Sequence, residues 1–172
     1  INFLKKRQKI GHPICKDGPE HHILAKAGTP TMGGVLIIGA VVISSFLWAR
    51  LDNPYVWLVL FVTLGFGLIG FIDDYKKIIM RNSDGLSKFV RLFFGFFISV
   101  LAAIFAMSVQ AENLSGYVAV PFFKAALFNL GWFFVPFAMI VIVGSANAVN
   151  LTDGLDGLAV MPVMIASGAL GI

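Results

Sequence analysis

The sequence predicts an all-α protein, a polytopic integral membrane helix bundle in which residues 1–172 form a single transmembrane domain. The first observation is composition, since 58% of the residues are hydrophobic, 13% are charged and the mean hydropathy is +0.88. In a soluble globular domain, about a quarter of the residues are charged. The second is the grouping of apolar residues into runs that, at about 1.5 Å per helical residue, are long enough to cross a bilayer.

Five apolar segments are predicted to span the membrane. They cover residues 33–49, 54–72, 89–109, 130–149 and 157–172, of which the last is the shortest. The basic segment 1–32 precedes them. Residues 117–128 are too few to span and include Pro121 and Lys124, so they are predicted to form an interfacial or re-entrant element whose conformation stays open.

Positive charge predicts the orientation of these spans. Of the 13 Lys and Arg residues, six precede the first span and five lie between the second span and the first turn of the third. If the spans alternate, these 11 residues share one side, which the positive-inside rule assigns to the cytoplasm. Topology and contact with membrane lipid account for most of this charge, and no nucleic-acid partner is predicted.

Neither redox nor zinc chemistry is predicted. The sequence has a single cysteine, Cys15, and its three His residues lack the spacing of zinc ligands.

Four aspartates are placed where spans end on the predicted cytoplasmic side. Asp73 and Asp74 follow the second span, and Asp153 and Asp156 lie between the fourth and fifth. Adjacent carboxylates repel, so a divalent cation or a nearby lysine would stabilise their ionised form, which suits Mg²⁺ and a diphosphate. The structural alternative is a set of helix-end ion pairs with Lys76 and Lys77, each contributing a few tenths of a kcal/mol.

Two further polar stretches lie at the same predicted face. One repeats a polar residue every third position, at Asn147, Asn150, Asp153 and Asp156. On a straight helix, each step of three residues turns the next side chain by about 60° away from the previous one. Gly154 and Gly157 allow the backbone to bend there. A capped turn is the structural alternative. The other is 26–34, where Lys26 and Thr31 precede two glycines and favour either a helix cap or an anion site.

Four motifs together resemble one family. They are GTPTMGG at 28–34, DDYKK at 73–77, VPFFK at 120–124 and NAVNLTDGLDGLA at 147–159. In this order and spacing the motifs resemble the phospho-N-acetylmuramoyl-pentapeptide-transferases, within the polyprenyl-phosphate N-acetylhexosamine-1-phosphate transferase superfamily. The resemblance implies a ten-helix fold in the bacterial inner membrane with a cytoplasmic active site. It implies transfer of phospho-MurNAc-pentapeptide from UDP-MurNAc-pentapeptide to undecaprenyl phosphate, giving lipid I and UMP, with Mg²⁺; a homodimer stays open.

The resemblance also implies roles for individual residues. It assigns catalysis to Asp73, Asp74 and Asp156, with Asp73 deprotonating or positioning the lipid phosphate. Substrate contacts are implied for Lys26, Thr31, Lys77, Arg91, Asn150, Asp153 and Gly154. The implied metal ligands are Asp73, Asp74 and Asp153. The family usually has Lys where this sequence has Arg91, which changes the geometry of a phosphate contact but keeps its charge.

Some family features do not occur in these 172 residues. They are a third Asp in a GDxGS-like stretch, a His-rich loop and the first transmembrane helix, so the sequence is expected to be the central part of a longer enzyme and inactive alone. A sister transferase that moves GlcNAc-1-phosphate is one alternative, which GTPTMGG and VPFFK disfavour. A transporter or non-catalytic membrane scaffold is another, disfavoured because the polar stretches cluster at one predicted face.

Overall fold

A computed structural model describes residues 33–80, 85–111, 114–119, 127–152 and 158–171. The described chain is mainly helical. Its helices are α1 (Gly33–Trp48), α2 (Pro54–Met80), α3 (Lys88–Val109), α4 (Phe134–Thr152) and α5 (Val160–Gly171). Two short strands, β1 (Tyr117–Ala119) and β2 (Leu127–Asn129), and a 3₁₀ helix (Gly131–Phe133) lie between α3 and α4. The prediction of a membrane helix bundle is confirmed for the described part of the chain.

Length and composition separate these helices into two groups. Three stretches are long and apolar enough to cross a membrane, namely α2, α3 and Gly131–Thr152. Helices α1 and α5 are apolar but shorter, with 16 and 12 residues. Many large apolar side chains on the helices are exposed, including Phe89, which is 85% exposed, as expected where lipid replaces water as the solvent. The chain is a membrane protein, and the five-span, single-domain assignment stays a prediction.

The start of α2 is determined by its local sequence. The Asn53 side-chain oxygen accepts a hydrogen bond from the Tyr55 backbone N–H at 3.0 Å, which satisfies one of the donors that a helix leaves unpaired at its first turn. Pro54 occupies the first helical position, where its fixed φ and missing N–H are favourable. One turn later, the Trp57 indole N–H donates to the Leu51 carbonyl at 2.9 Å and ties α2 to the preceding turn.

Both neighbouring helices pack against α2. On one side, the rings of Phe46 in α1 and Trp57 in α2 meet edge to face with centroids 5.9 Å apart. On the other, Ile98 of α3 lies over Gly65, so close that a Cβ at this glycine would meet the Ile98 Cδ1 atom at 2.9 Å. The absence of a side chain at Gly65 therefore allows α3 to approach α2 closely at this point.

The segment 117–128, predicted as an interfacial or re-entrant element, forms strands at its described ends. Strands β1 and β2 pair antiparallel, with Val118 opposite Phe128. Beside them, the Leu130 backbone N–H donates to the Gly116 carbonyl at 2.9 Å. Near the apolar phase, backbone N–H and C=O groups need hydrogen-bond partners within the protein. In a segment too short to form a spanning helix, a β ribbon supplies these partners by pairing two strands.

Replacement of Asn53 by Ala is expected to weaken the start of α2. The change removes the capping oxygen, and a lost cap costs about 1 kcal/mol. Thermal unfolding of the detergent-solubilised protein measures the loss. Asn53→Asp keeps an acceptor in the same place and should unfold near the wild-type temperature, whereas equal losses in both variants would contradict a capping role.

Candidate active site

Three charged side chains meet one turn beyond the apolar part of α2. The Lys77 Nζ atom lies 2.6 Å from Asp73 Oδ2 and 3.5 Å from Asp74 Oδ1. These are i, i+4 and i, i+3 pairs, which face one another on a helix, and they let α2 continue to Met80 past the predicted end of the span at residue 72. Only 11% of the Asp73 side chain is exposed, against 40% for Asp74. The two adjacent carboxylates therefore occupy different environments.

The segment that enters α3 supplies the remaining partners of Asp73. The Leu86 backbone N–H donates to Asp73 Oδ1 at 2.6 Å, and the Arg91 Nη2 atom lies 3.5 Å from the same oxygen. Ser87 lies just before α3, and its Oγ atom accepts from the Val90 backbone N–H at 3.3 Å. This helix start places Arg91 in the first turn of α3, facing the carboxylate on α2.

Both oxygens of Asp73 are therefore engaged by groups from two different helices and one loop. Lys77 engages one oxygen, while Leu86 and Arg91 engage the other. Two negative and two positive side chains make the cluster neutral, and no buried side-chain polar atom in the described chain lacks a partner. Removing one member of such a buried set is costly, because the remaining charge is left without compensation.

Gly85 is the residue of this site that the sequence analysis did not identify. A Cβ at this position would collide with Asp73 Oδ1 and lie 2.7 Å from Asp73 Cγ and 2.8 Å from Lys77 Cε. The signal in the sequence is an Asp-Gly pair before the third span, which by itself indicates only a turn. The steric reason for the glycine depends on a carboxylate 12 positions earlier in the chain.

The carboxylates match the oxygen ligands that Mg²⁺ prefers, but the fit is partial. Both Asp73 oxygens are already engaged, whereas Asp74 has a more exposed carboxylate whose nearest cation is 3.5 Å away. Within the described ranges, no three His, Cys, Asp or Glu side chains gather as a metal site. Asp74 is thus the described residue best suited to a metal, and the assignment of Asp73, Asp74 and Asp153 as ligands stays a prediction.

The structure does not describe the other predicted site residues together with this cluster. Five of them lie outside the described residues: Lys26, Thr31, Asp153, Gly154 and Asp156. Asn150 is exposed near the end of α4, in a compact unit separate from that of Asp73. In the same helix, the Asn147 side chain donates to the Val143 carbonyl at 2.8 Å, so this amide is partly engaged by its own backbone. The structure brings together Asp73, Asp74, Lys77 and Arg91.

Comparison with known proteins yields consistent matches. Residues 56–172 match glycosyl transferase family 4, and residues 26–38 match signature 1 of phospho-N-acetylmuramoyl-pentapeptide-transferase. Proteins of that name from Ruegeria sp. (strain TM1040), Dinoroseobacter shibae and Ruegeria pomeroyi are 61%, 59% and 58% identical to this chain over all of its 172 residues.

These matches cover 48% of each relative, so the chain spans about half the length of the curated relatives it matches. They confirm the family resemblance that the four motifs indicated. The chain belongs to glycosyl transferase family 4.

Proposed function

We propose that this chain takes part in the transfer of phospho-MurNAc-pentapeptide from UDP-MurNAc-pentapeptide to undecaprenyl phosphate, which forms lipid I and releases UMP. The observation that carries the proposal is the cluster of Asp73, Lys77 and Arg91 at the end of an apolar helix. A membrane-bound phosphate and a water-soluble diphosphate can meet only at such a boundary. The names of relatives up to 61% identical support the same reaction.

The reaction requires positioning and charge neutralisation more than covalent work by the protein. An oxygen of the lipid phosphate forms a bond to the phosphorus next to the sugar, and the bond from that phosphorus to UMP breaks. Lys77 and Arg91 would hold the anionic oxygens of the two substrates. Asp73 contacts both cations and so orients them. From the family resemblance, Asp73 would also deprotonate or position the lipid phosphate.

A bound Mg²⁺ would neutralise charge on the diphosphate. Asp74 would hold it, because its carboxylate is the more exposed of the pair. From the family resemblance, Asp153 would be a further ligand, and Asp156 and Asn150 would contact the nucleotide. Lys26 and Thr31 would contribute from the segment that the phospho-N-acetylmuramoyl-pentapeptide-transferase signature matches.

The test is a transfer assay in membranes prepared from the bacterial strain whose genome encodes this chain. Radiolabelled UDP-MurNAc-pentapeptide and undecaprenyl phosphate should give labelled lipid and UMP in a reaction that stops when Mg²⁺ is chelated. UDP-GlcNAc is the matched control. Transfer from UDP-GlcNAc alone would favour the sister transferase, and no transfer from either nucleotide would contradict an enzymatic role.

The proposed orientation places 74–88 in the cytoplasm of a bacterium, on the inner membrane, as the excess of Lys and Arg indicates. The prediction concerns a cysteine introduced at Asn82 in a Cys15→Ser background, which removes the single native thiol. An impermeant maleimide should label it in inverted vesicles but not in intact cells. Labelling from outside in intact cells would reverse the orientation.

A further inference from the structure

Position 85 requires a glycine because a side chain would not fit beside Asp73, and not because the backbone conformation there excludes other residues. The described glycines with positive φ are Gly116 and Gly131, so Gly85 adopts a φ that other residues also adopt. An added Cβ would nevertheless collide with Asp73 Oδ1 and come within 2.8 Å of Lys77 Cε. Real Cβ atoms do not make contacts this short. Either the carboxylate or the backbone at 85–86 would have to move.

The contact that would be lost is the shortest backbone hydrogen bond of the site. Leu86 N–H lies 2.6 Å from Asp73 Oδ1, and hydrogen bonds to an ionised acceptor are about twice as strong as neutral ones. It fixes one oxygen of the carboxylate, which leaves the other directed at Lys77 Nζ. The orientation of Asp73, and through it that of Lys77, therefore depends on how closely residue 85 approaches.

We propose that Gly85 is a positioning residue for the phosphate transfer: its missing side chain allows the Leu86 amide to fix the carboxylate of Asp73 in the orientation that the reaction uses. The inference rests on the proposed function and assigns a role to a residue that contacts neither substrate. Misplacing a reacting group by about 1 Å can cost 10²-fold in rate. The smaller displacement that one methyl group imposes here is expected to cost on the order of tenfold.

The experiment compares Gly85→Ala with Gly70→Ala in membranes of the strain that encodes the chain. Gly70 lies on α2 one turn before Asp73, and a Cβ there would meet nothing within 4 Å. Gly85→Ala should lower kcat on the order of tenfold and leave KM for UDP-MurNAc-pentapeptide nearly unchanged, while Gly70→Ala stays near wild type. If wild-type membranes transfer nothing, the proposed function fails; if wild type is active and Gly85→Ala matches Gly70→Ala, the positioning role alone fails.

A double-mutant cycle with Asp73→Ala separates positioning from general damage to the fold. This change removes the carboxylate with which the new Cβ would collide and leaves only Lys77 Cε, near the flexible end of its side chain, in close contact. Adding Gly85→Ala to it should therefore lower the unfolding temperature and the residual rate far less than it does in the wild-type background. Equal losses in both backgrounds would overturn the proposal. If Gly85→Ala alone does not accumulate, recovered accumulation in the Asp73→Ala background supports the contact, and failure in both backgrounds overturns it.

Discussion

Asp73→Asn is expected to lower turnover by at least about 10²-fold while binding of UDP-MurNAc-pentapeptide is largely kept. The physical reason lies in the hydrogen bonds of the carboxylate. One oxygen contacts Lys77 Nζ, and the other accepts from the Leu86 backbone N–H and faces the Arg91 guanidinium 3.5 Å away. An amide can accept on one side only, so either orientation of the substituted side chain would set an NH₂ group against another donor. The measurement is initial rate against substrate concentration in membranes.

Asp156→Asn provides the contrast for this prediction. The family resemblance assigns Asp156 to the nucleotide side, so its replacement should weaken binding of UDP-MurNAc-pentapeptide as well as turnover. Unfolding temperatures of both variants serve as the control for damage to the fold. Near-normal turnover of Asp73→Asn would remove Asp73 from the catalytic residues.

Lys77→Met is expected to have the other large effect, on stability and on turnover together. Lys77 is the closest partner of Asp73 and the one cation described within 4 Å of Asp74. Without Lys77, Asp73 keeps only Leu86 and Arg91 as partners among the described residues. The free energy of unfolding should fall by about 2 kcal/mol, the value typical of a hydrogen bond to a charged group. Turnover should fall by about 10²–10³-fold, because the charge proposed to stabilise the transferred phosphate would be lost.

Lys76→Met is the matched control for that change. Lys76 lies on the same helix and carries the same charge, but makes no ion pair with any residue that the structure describes. The Lys76→Met protein should have nearly the wild-type unfolding temperature and nearly the wild-type turnover rate. Lys77→Arg, which keeps the charge but is longer and branched, should recover stability better than turnover. A Lys77→Met protein as active as the Lys76→Met protein would contradict the assignment of Lys77 to the site.

The positions of the long helices could be predicted because each residue type has its own free energy of transfer into an apolar phase, so the sequence itself shows where the apolar runs lie. Predicted spans 54–72 and 89–109 correspond to helices over Pro54–Met80 and Lys88–Val109. Helix α2 extends beyond the predicted span, because hydropathy falls at Asp73 whereas the helix is continued by the i, i+4 ion pair of Asp73 with Lys77, one of the helix-end pairs that the sequence offered. The strands at 117–119 and 127–129 were not predicted, since short apolar runs do not distinguish strand from helix.

At the site, the charged residues could be predicted and their arrangement could not. Asp73 and Lys77 are four positions apart, so helical geometry alone places them together. Arg91 was indicated by the family resemblance as a phosphate contact, and its approach to Asp73 depends on how α2 and α3 pack. Gly85 and the Leu86 amide carry no side-chain chemistry that a sequence pattern could reveal. Their role arises from a contact between segments separated in sequence.

The length of α2 links this site to the thickness of the surrounding bilayer. Asp73 comes 19 residues after Pro54 on a 27-residue helix, so at 1.5 Å per residue it lies about 28 Å along the axis, close to the ~30 Å depth of the hydrocarbon layer. Lipids with longer acyl chains would draw the ion cluster into the apolar phase or force the helix upright, whereas shorter chains would lift it out of the hydrocarbon layer into water. The acyl-chain composition of the cell is thereby a variable that sets the height of the ion cluster relative to the membrane surface.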